Sequence, residues 1–295
     1  MMGTALDDLV DLLDLERLEV HLFRGVSPEE GRVRVFGGQV LAQALIAAGR
    51  TVDAEIPVHS LHAYFLRPGD PSTPIVFDVD RIRDGRSFTT RRVVAVQHGR
   101  AIFNMQTSFH HAEDGPEHSD EMPDVPAPED IEPAPRPQWR VPPALARSAD
   151  EWRNREQPIE MRFVGTPSWA RTEPGEADQD VWQRTVGTLP DDPLLHAAIV
   201  AYASDHMLLS TATLPHTAGW HHDKIMTASL DHVMWFHQPC RADEWLLYRL
   251  HSPAAARGRG LSLGAIFRRD GIQCITIAQE GLLRPVKQSP APAEG

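Results

Sequence analysis

The chain carries an internal repeat, which constrains its fold more than any other feature of the sequence. Residues 35–49 have the pattern of a helix with a glycine-rich start, and the strand pattern of residues 58–70 follows. Residues 192–210 and 227–239 repeat the same helix and strand in the second half. The repetition predicts two structural units of the same architecture.

Each copy ends in three further strands, over residues 74–110 and 244–285. Tyr64 in the first copy corresponds to Trp235 in the second, 171 residues later. Helices and antiparallel sheets stabilise each other by burying one face together. The sequence therefore predicts an α+β fold of two fused units, each a long helix packed on an antiparallel β-sheet.

A proline-rich acidic segment divides the two copies. Residues 111–145 contain nine prolines, and prolines at this density prevent regular backbone hydrogen bonding. We therefore expect an extended linker over residues 111–150, between an N-terminal unit of residues 1–110 and a C-terminal unit of residues 151–295.

The bulk composition argues against several partners and locations. The net charge of −12 disfavours nucleic-acid binding, which needs a basic surface. No apolar run approaches the ~20 residues of a membrane span, and the acidic N-terminus does not resemble a secretory signal. Cys240 and Cys274 are too few for a disulfide framework. We therefore expect a cytoplasmic protein with no membrane or nucleic-acid partner.

Asp205 is the most informative polar residue. On a continuous helix its carboxylate would share a face with largely apolar side chains, namely Ala198, Ala201, Tyr202, Leu208 and Leu209. Burying an unpaired carboxylate costs several kcal/mol, so we expect Asp205 to have hydrogen-bonding partners. The alternatives are an aspartate at the solvent edge or a buried capping group.

Ser229 lies on the strand that follows this helix. Strict alternation places Ser229 on one face with Asp231, and His232 on the other face among Leu230, Met234 and Phe236. A regular strand therefore excludes a local Ser229–His232 pair. Read alone, Ser229 is more typical of a tolerated strand hydroxyl.

Gln279 is a third polar group in apolar surroundings. It shares a strand face with Ile275, Ile277 and Gly281, and a buried amide needs hydrogen-bond partners. The alternative is an ordinary polar residue at the edge of a sheet.

Two further motifs resemble functional sites but do not fit their structural requirements. Residues 260–264, GLSLG, match the nucleophile elbow around Ser262, but a strand pattern follows where the elbow requires a helix. A second segment is rich in possible metal ligands: His216, His221, His222 and Asp223. Their spacing fits no standard zinc motif, so we expect a solvated loop and no metal.

Several long motifs in a fixed order resemble the acyl-CoA thioesterase II family, the double-hotdog thioesterases. The similar segments are RVFGGQVLAQAL, HSLHAYFLRPGD, RDGRSFTTRRVVAVQHGRAIF, SDHMLL, LDHVMWFHQP and AQEGLLR. Together they cover nearly all of the chain outside the proline-rich segment. The resemblance implies two fused hotdog units and hydrolysis of fatty acyl-CoA to free acid and CoA, with no metal or other cofactor.

The resemblance also implies a catalytic trio. Matching the motifs position by position assigns Asp205, Ser229 and Gln279 to it, with Ser229 where some members have threonine. We expect Asp205 to act as general base on a water that Ser229 and Gln279 hold. The first copy offers Gln39 and Gln43 on its helix without a carboxylate, so we expect one active site per chain.

Other parts of the site follow from the chemistry of the substrate. Backbone N–H groups at the helix start near Gly37 and Gly38 are candidates for an oxyanion hole, although these glycines are also explained by tight packing. Arg257 and Arg259 on a predicted turn are candidates to bind CoA phosphates, or they are simply solvated. The family and the exposed sheet edges also suggest a homo-oligomer.

Three alternative functions remain compatible with the sequence. A hotdog enoyl-CoA hydratase would use an Asp-His pair in a longer motif that we do not find. A non-catalytic acyl-CoA-binding protein would have lost part of the trio. A serine hydrolase would depend on Ser262.

Overall fold

One antiparallel sheet of thirteen strands runs through both halves of the protein. The computed structural model describes residues 4–28, 33–133, 156–217 and 225–286. The N-terminal half contains helices α1 (Ala5–Leu13) and α2 (Gly37–Gly49) and strands β1 (Glu16–Arg17), β2 (Leu22–Gly25), β3 (Val58–Phe65), β4 (Ile75–Asp84), β5 (Phe88–Gln97) and β6 (Arg100–His110).

The second half repeats this order. Its helices are α3 (Pro193–Ser204) and the short α4 (Leu208–Thr211), and its strands are β7 (Ile159–Val164), β8 (Asp178–Thr185), β9 (Ile225–Ser229), β10 (Asp231–Phe236), β11 (Leu246–Ala256), β12 (Arg259–Arg268) and β13 (Gln273–Pro285). Among the described helices, none combines the length and the apolar character needed to cross a membrane.

The strand order shows how the repeat is built. It runs β1-β2-β4-β5-β6-β3-β10-β13-β12-β11-β8-β7, with β9 pairing separately with β13. The strand order of the second half is therefore the reverse of that of the first, and the two halves meet at the antiparallel β3–β10 pair. Leu61 lies opposite Met234 across this junction, and both side chains are fully buried. The predicted repeat of a helix and an antiparallel sheet is confirmed.

Helices α2 and α3 pack against each other in opposite directions. A side chain added at Gly38, near the start of α2, would meet the carbonyl oxygen of Tyr202 near the end of α3. At the other end, a side chain added at Gly49 would meet Leu194. The start of α2 therefore lies beside the end of α3.

The predicted continuous helix over residues 192–210 is wrong near its end, where residues 205–207 form a turn. Asp192 caps α3 by accepting from the backbone N–H groups of Leu194 and Leu195, with Pro193 in the first turn, as the sequence predicts. The helix then ends at Ser204, and Asp205 is its C-cap residue. Asp205 therefore lies on the turn between α3 and α4.

The first part of the proline-rich segment packs on the outer face of the second half. Residues 111–133, the covering segment, lie over an apolar cluster of Trp182, Trp245, Leu247 and Phe267. Trp182 Nε1 donates to the carbonyl oxygen of Pro126 at 2.9 Å. The covering segment is mostly irregular, with one 3₁₀ turn at Pro128–Asp130, and it is bound to the sheet. The rest of the predicted linker, residues 134–150, lies outside the described residues.

Candidate active site

A β-bulge at Leu230 shapes the site. Ser229 lies opposite Gly281, and Val233 lies opposite Ala278. The chain advances four residues from Ser229 to Val233 while β13 advances only three, so β9–β10 holds one extra residue. An extra residue reverses which side chains face the core. The predicted regular alternation over this strand is therefore wrong.

Asp231 holds the bulge in place. Its Oδ1 accepts from the backbone N–H of Glu280 at 2.6 Å, and the N–H of Leu230 donates to the carbonyl oxygen of Glu280 at 2.9 Å. Burial raises the pKa of Asp231. Asp231 therefore braces the strand beside the bulge.

The structure brings the three predicted site residues together. Gln279 Nε2 donates to Asp205 Oδ1 at 2.7 Å, and Ser229 Oγ donates to the same oxygen at 3.5 Å. The Asp205 side chain is 5% exposed, whereas Gln279 is fully buried. Asp205 therefore presents a nearly buried carboxylate that an amide and a hydroxyl hold on one side.

His232 is a member of this cluster that sequence reasoning missed. Its Nδ1 lies 3.1 Å from Gln279 Nε2 and 3.8 Å from Asp205 Oδ1. A distance of 3.8 Å would suit an ion pair only if the ring were protonated. Burial lowers the pKa of His232 to about 3, so the ring is neutral. The bulge places His232 and Ser229 around the same carboxylate.

A cavity of about 460 Å³ opens onto this cluster. Asp205 and Ser229 lie in its wall beside Gly37, and apolar side chains such as Phe65 and Ile102 line much of the rest. Apolar walls around a few convergent polar groups are typical of a small-molecule site.

The two glycines at the start of α2 have different surroundings. A Cβ at Gly37 would lie 2.7 Å from Asp205 Oδ2, whereas a Cβ at Gly38 would lie 2.5 Å from the carbonyl oxygen of Tyr202. Gly37 therefore borders the carboxylate, and Gly38 permits the close approach of α2 and α3.

The two arginines that the sequence suggests for CoA binding lie outside the cavity. Arg257 is in the turn between β11 and β12 with a φ of 52°, and Arg259 Nε donates to Glu280 Oε1 at 2.8 Å. Neither belongs to the cavity wall formed by the described residues. That wall contains Arg34, which donates to the carbonyl oxygen of Thr227, and Arg67, which donates to that of Ala101.

The remaining candidate residues lie outside the cluster around Asp205. Ser262 is fully buried within β12, opposite Gln279 on β13, so a strand continues where a nucleophile elbow needs a helix. Gln43 Nε2 donates to the carbonyl oxygens of Leu12 and Val26, and Gln39 Nε2 also donates to that of Val26. His216 is exposed, and residues 221–223 lie outside the described residues.

Comparison with known proteins gives two family matches. Residues 152–282 match the family model described as acyl-CoA thioesterase. Residues 26–110 match the model described as acyl-CoA thioesterase N-terminal domain. The two matches correspond to the two halves of the sheet.

Whole-length relatives agree with these matches. The chain is 42% identical to human acyl-coenzyme A thioesterase 8, over 92% of this chain and 88% of that protein. It is 39% identical to acyl-CoA thioesterase 2 of Haemophilus influenzae, over 96% of this chain and 99% of that protein.

Solved structures show the same fold. An acyl-CoA thioesterase II, TesB2, from Mycobacterium marinum is 43% identical, with a TM-score of 0.77 over 95% of this chain and 99% of that one. A hot dog protein of unknown function from Alicyclobacillus acidocaldarius, 19% identical, has a TM-score of 0.74 over 96% of this chain and 99% of that one. The chain therefore belongs to the acyl-CoA thioesterase II family and has its hotdog fold.

Proposed function

We propose that the protein hydrolyses fatty acyl-CoA to a free fatty acid and CoA by direct attack of water, with Asp205 as general base. The observation that carries this proposal is the Asp205 carboxylate in an apolar cavity, held by Gln279 at 2.7 Å and Ser229 at 3.5 Å. Asp205 takes a proton from a water molecule while the oxygen of that water attacks the thioester carbon. The C–S bond of the tetrahedral intermediate then breaks, and the CoA thiolate leaves and takes up the proton held by Asp205, which restores the carboxylate.

Ser229 and Gln279 position the water and the base. The 3.5 Å distance between Ser229 Oγ and Asp205 Oδ1 is long for a hydrogen bond, as is common in sites without substrate. The Ser229 hydroxyl can therefore turn to a water at the cavity edge. Gln279 has both amide hydrogens engaged, so its role is to hold Asp205.

The start of α2 supplies the oxyanion site. The first N–H groups of a helix lack partners within the helix, and its dipole is positive there. Gly37 places this helix start next to Asp205. A thioester oxygen at Gly37 would therefore meet N–H donors while its carbon faces the water.

The CoA moiety requires cations at the cavity. Arg34 and Arg67 line the cavity itself and are the nearest candidates for its phosphates. Arg257 and Arg259 remain candidates for more distant contacts with CoA. Homo-oligomeric assembly and a cytoplasmic location are also proposed, on the sequence arguments alone.

Asp205→Asn tests the base assignment. The expected result is a 10²–10⁴-fold lower kcat, roughly the contribution of a general base, for release of CoA from palmitoyl-CoA followed with a thiol reagent. Asp231→Asn is the matched control, because the amide oxygen of the new asparagine can still accept from the backbone N–H of Glu280. Full activity in Asp205→Asn would refute the proposal.

Assays with other substrates and variants separate the alternatives. Hydration of enoyl-CoA without release of CoA would indicate a hydratase, and binding without turnover a binding protein. An acyl group trapped on Ser229 would exclude direct attack by water. Loss of activity in Ser262→Ala with Ser229→Ala unaffected would indicate a serine hydrolase.

A further inference from the structure

We propose that His232 is a positioning residue that fixes the orientation of the Gln279 amide, an inference that rests on the proposed role of Gln279. His232 is fully buried and belongs neither to the predicted trio nor to the cavity wall formed by the described residues. It lies directly behind Gln279, with Nδ1 3.1 Å from the amide nitrogen.

The hydrogen bonds determine which ring nitrogen carries the proton. One hydrogen of Gln279 Nε2 goes to Asp205 Oδ1, and the other to His232 Nδ1. Because Nδ1 must accept, the proton of the neutral ring is on Nε2. Nε2 then donates to Ser204 Oγ at 3.0 Å, and Ser204 Oγ donates to the carbonyl oxygen of Ala201 at 2.9 Å. The relay ends on the backbone of α3.

A separate hydrogen bond holds the helix end that carries Asp205. Tyr248 Oη donates to the carbonyl oxygen of Ser204 at 3.3 Å, the carbonyl of the peptide bond that leads into Asp205. His232 and Tyr248 therefore support Gln279 and Asp205 from behind, and each donor in this relay has an acceptor.

The relay selects one of the two amide orientations. If the Gln279 amide turned over, Oε1 would face Asp205 Oδ1 and the lone pair of His232 Nδ1, and both are acceptors. Without an acceptor at position 232, one amide hydrogen would be buried without a partner. The amide would then shift away from Asp205 toward another acceptor.

Replacement by asparagine and by leucine separates this role from packing. His232→Asn keeps an acceptor close to the position of Nδ1, whereas His232→Leu fills the space without one. We expect kcat for palmitoyl-CoA to fall about 100-fold in His232→Leu, the usual effect of a misplaced catalytic group, with KM unchanged. We expect His232→Asn to restore most of kcat. Equal kcat losses in the two variants would overturn the proposal.

A double-mutant cycle tests whether His232 acts through Gln279. In a Gln279→Ala background, His232→Leu should lower kcat no further. A further 100-fold loss would overturn the proposal. If Gln279→Ala is inactive and His232→Leu keeps full kcat, only the role of His232 fails. If Gln279→Ala keeps full kcat, the proposed role of Gln279 fails first.

A matched buried histidine controls for stability. His196 Nδ1 accepts from the backbone N–H of Ala242 at 3.0 Å, and His196 is buried on α3. His196→Leu should lower the melting temperature and leave kcat unchanged. Nitrogen NMR of the unsubstituted protein gives a readout that needs no variant: a His232 ring protonated on Nε2 supports the relay, and one protonated on Nδ1 overturns it.

Discussion

The surroundings of Asp205 depend on one extra residue in a neighbouring strand. In a regular strand, Ser229 and His232 would face opposite sides of the sheet. The bulge at Leu230 turns both toward the same carboxylate. A hydroxyl that borders the cavity and an imidazole that lies behind it can therefore act on one aspartate.

The buried imidazole of His232 makes stability depend on pH. Its pKa is about 3 in the folded protein, against an ordinary value of 6.5. Because the unfolded chain takes up the proton first, stability is complete above pH 6.5 and is lost as the pH falls toward 3. The loss at pH 5 is about 2 kcal/mol.

Comparison with His232→Asn isolates this effect, since all other titrating groups are shared. Urea unfolding should show that the free-energy difference between the two proteins changes by about 2 kcal/mol from pH 7.5 to pH 5, in favour of the variant. A difference that does not change with pH would mean that His232 titrates normally in the folded protein.

Part of this site could be predicted from the sequence. Asp205 and Gln279 are polar side chains in apolar surroundings, and such groups need partners when buried. His232 gives the same signal, because Leu230, Met234 and Phe236 share its predicted face. Its face is predicted correctly, since His232 is buried with Met234. Ser229 is predicted on the opposite face because the residues around Leu230 do not reveal the bulge, which depends on pairing with β13.

At the scale of elements, the antiparallel packing of α2 and α3 assembles the site. The end of α3 supplies Asp205, and the start of α2 supplies Gly37 beside it. The positive end of the α2 dipole stabilises a negative charge at this position. Both helices are evident in the sequence, but their mutual orientation depends on how the two halves of the sheet join through β3 and β10, which are far apart in the chain.

Gly37 and Gly38 should respond differently to alanine. In Gly37→Ala the new methyl group would lie 2.7 Å from Asp205 Oδ2, a flexible group that can move aside. We expect kcat to fall about 100-fold with little change in melting temperature. In Gly38→Ala the methyl group would meet the backbone carbonyl of Tyr202, and overpacking should lower the free energy of unfolding by about 1–3 kcal/mol. Steady-state kinetics and urea unfolding of both variants test this contrast, which a reversed pattern would contradict.

At the scale of the whole molecule, the halves share one sheet through the β3–β10 pair. The repeat predicts two similar units, but it does not predict that β3 of one unit pairs with β10 of the other. It also does not show that the covering segment binds the outer face, because a proline-rich composition predicts only an extended chain. That binding depends on the apolar cluster around Trp182 on the outer face of the sheet, against which the covering segment packs.

Substitutions at Trp182 should therefore change stability and leave catalysis intact. Trp182→Ala removes a large buried side chain and should cost about 3–5 kcal/mol, and it should make the covering segment sensitive to proteases. Trp182→Phe keeps one aromatic ring, but it loses the hydrogen bond to the carbonyl oxygen of Pro126 and leaves a small cavity where the second ring packed, which together should cost about 1–3 kcal/mol. Because Trp182 and Asp205 lie on opposite faces of the sheet, kcat below the melting temperature should be unchanged in both. A large fall in kcat in Trp182→Phe, with the protein folded, would show instead that the covering segment is coupled to the active site through the sheet.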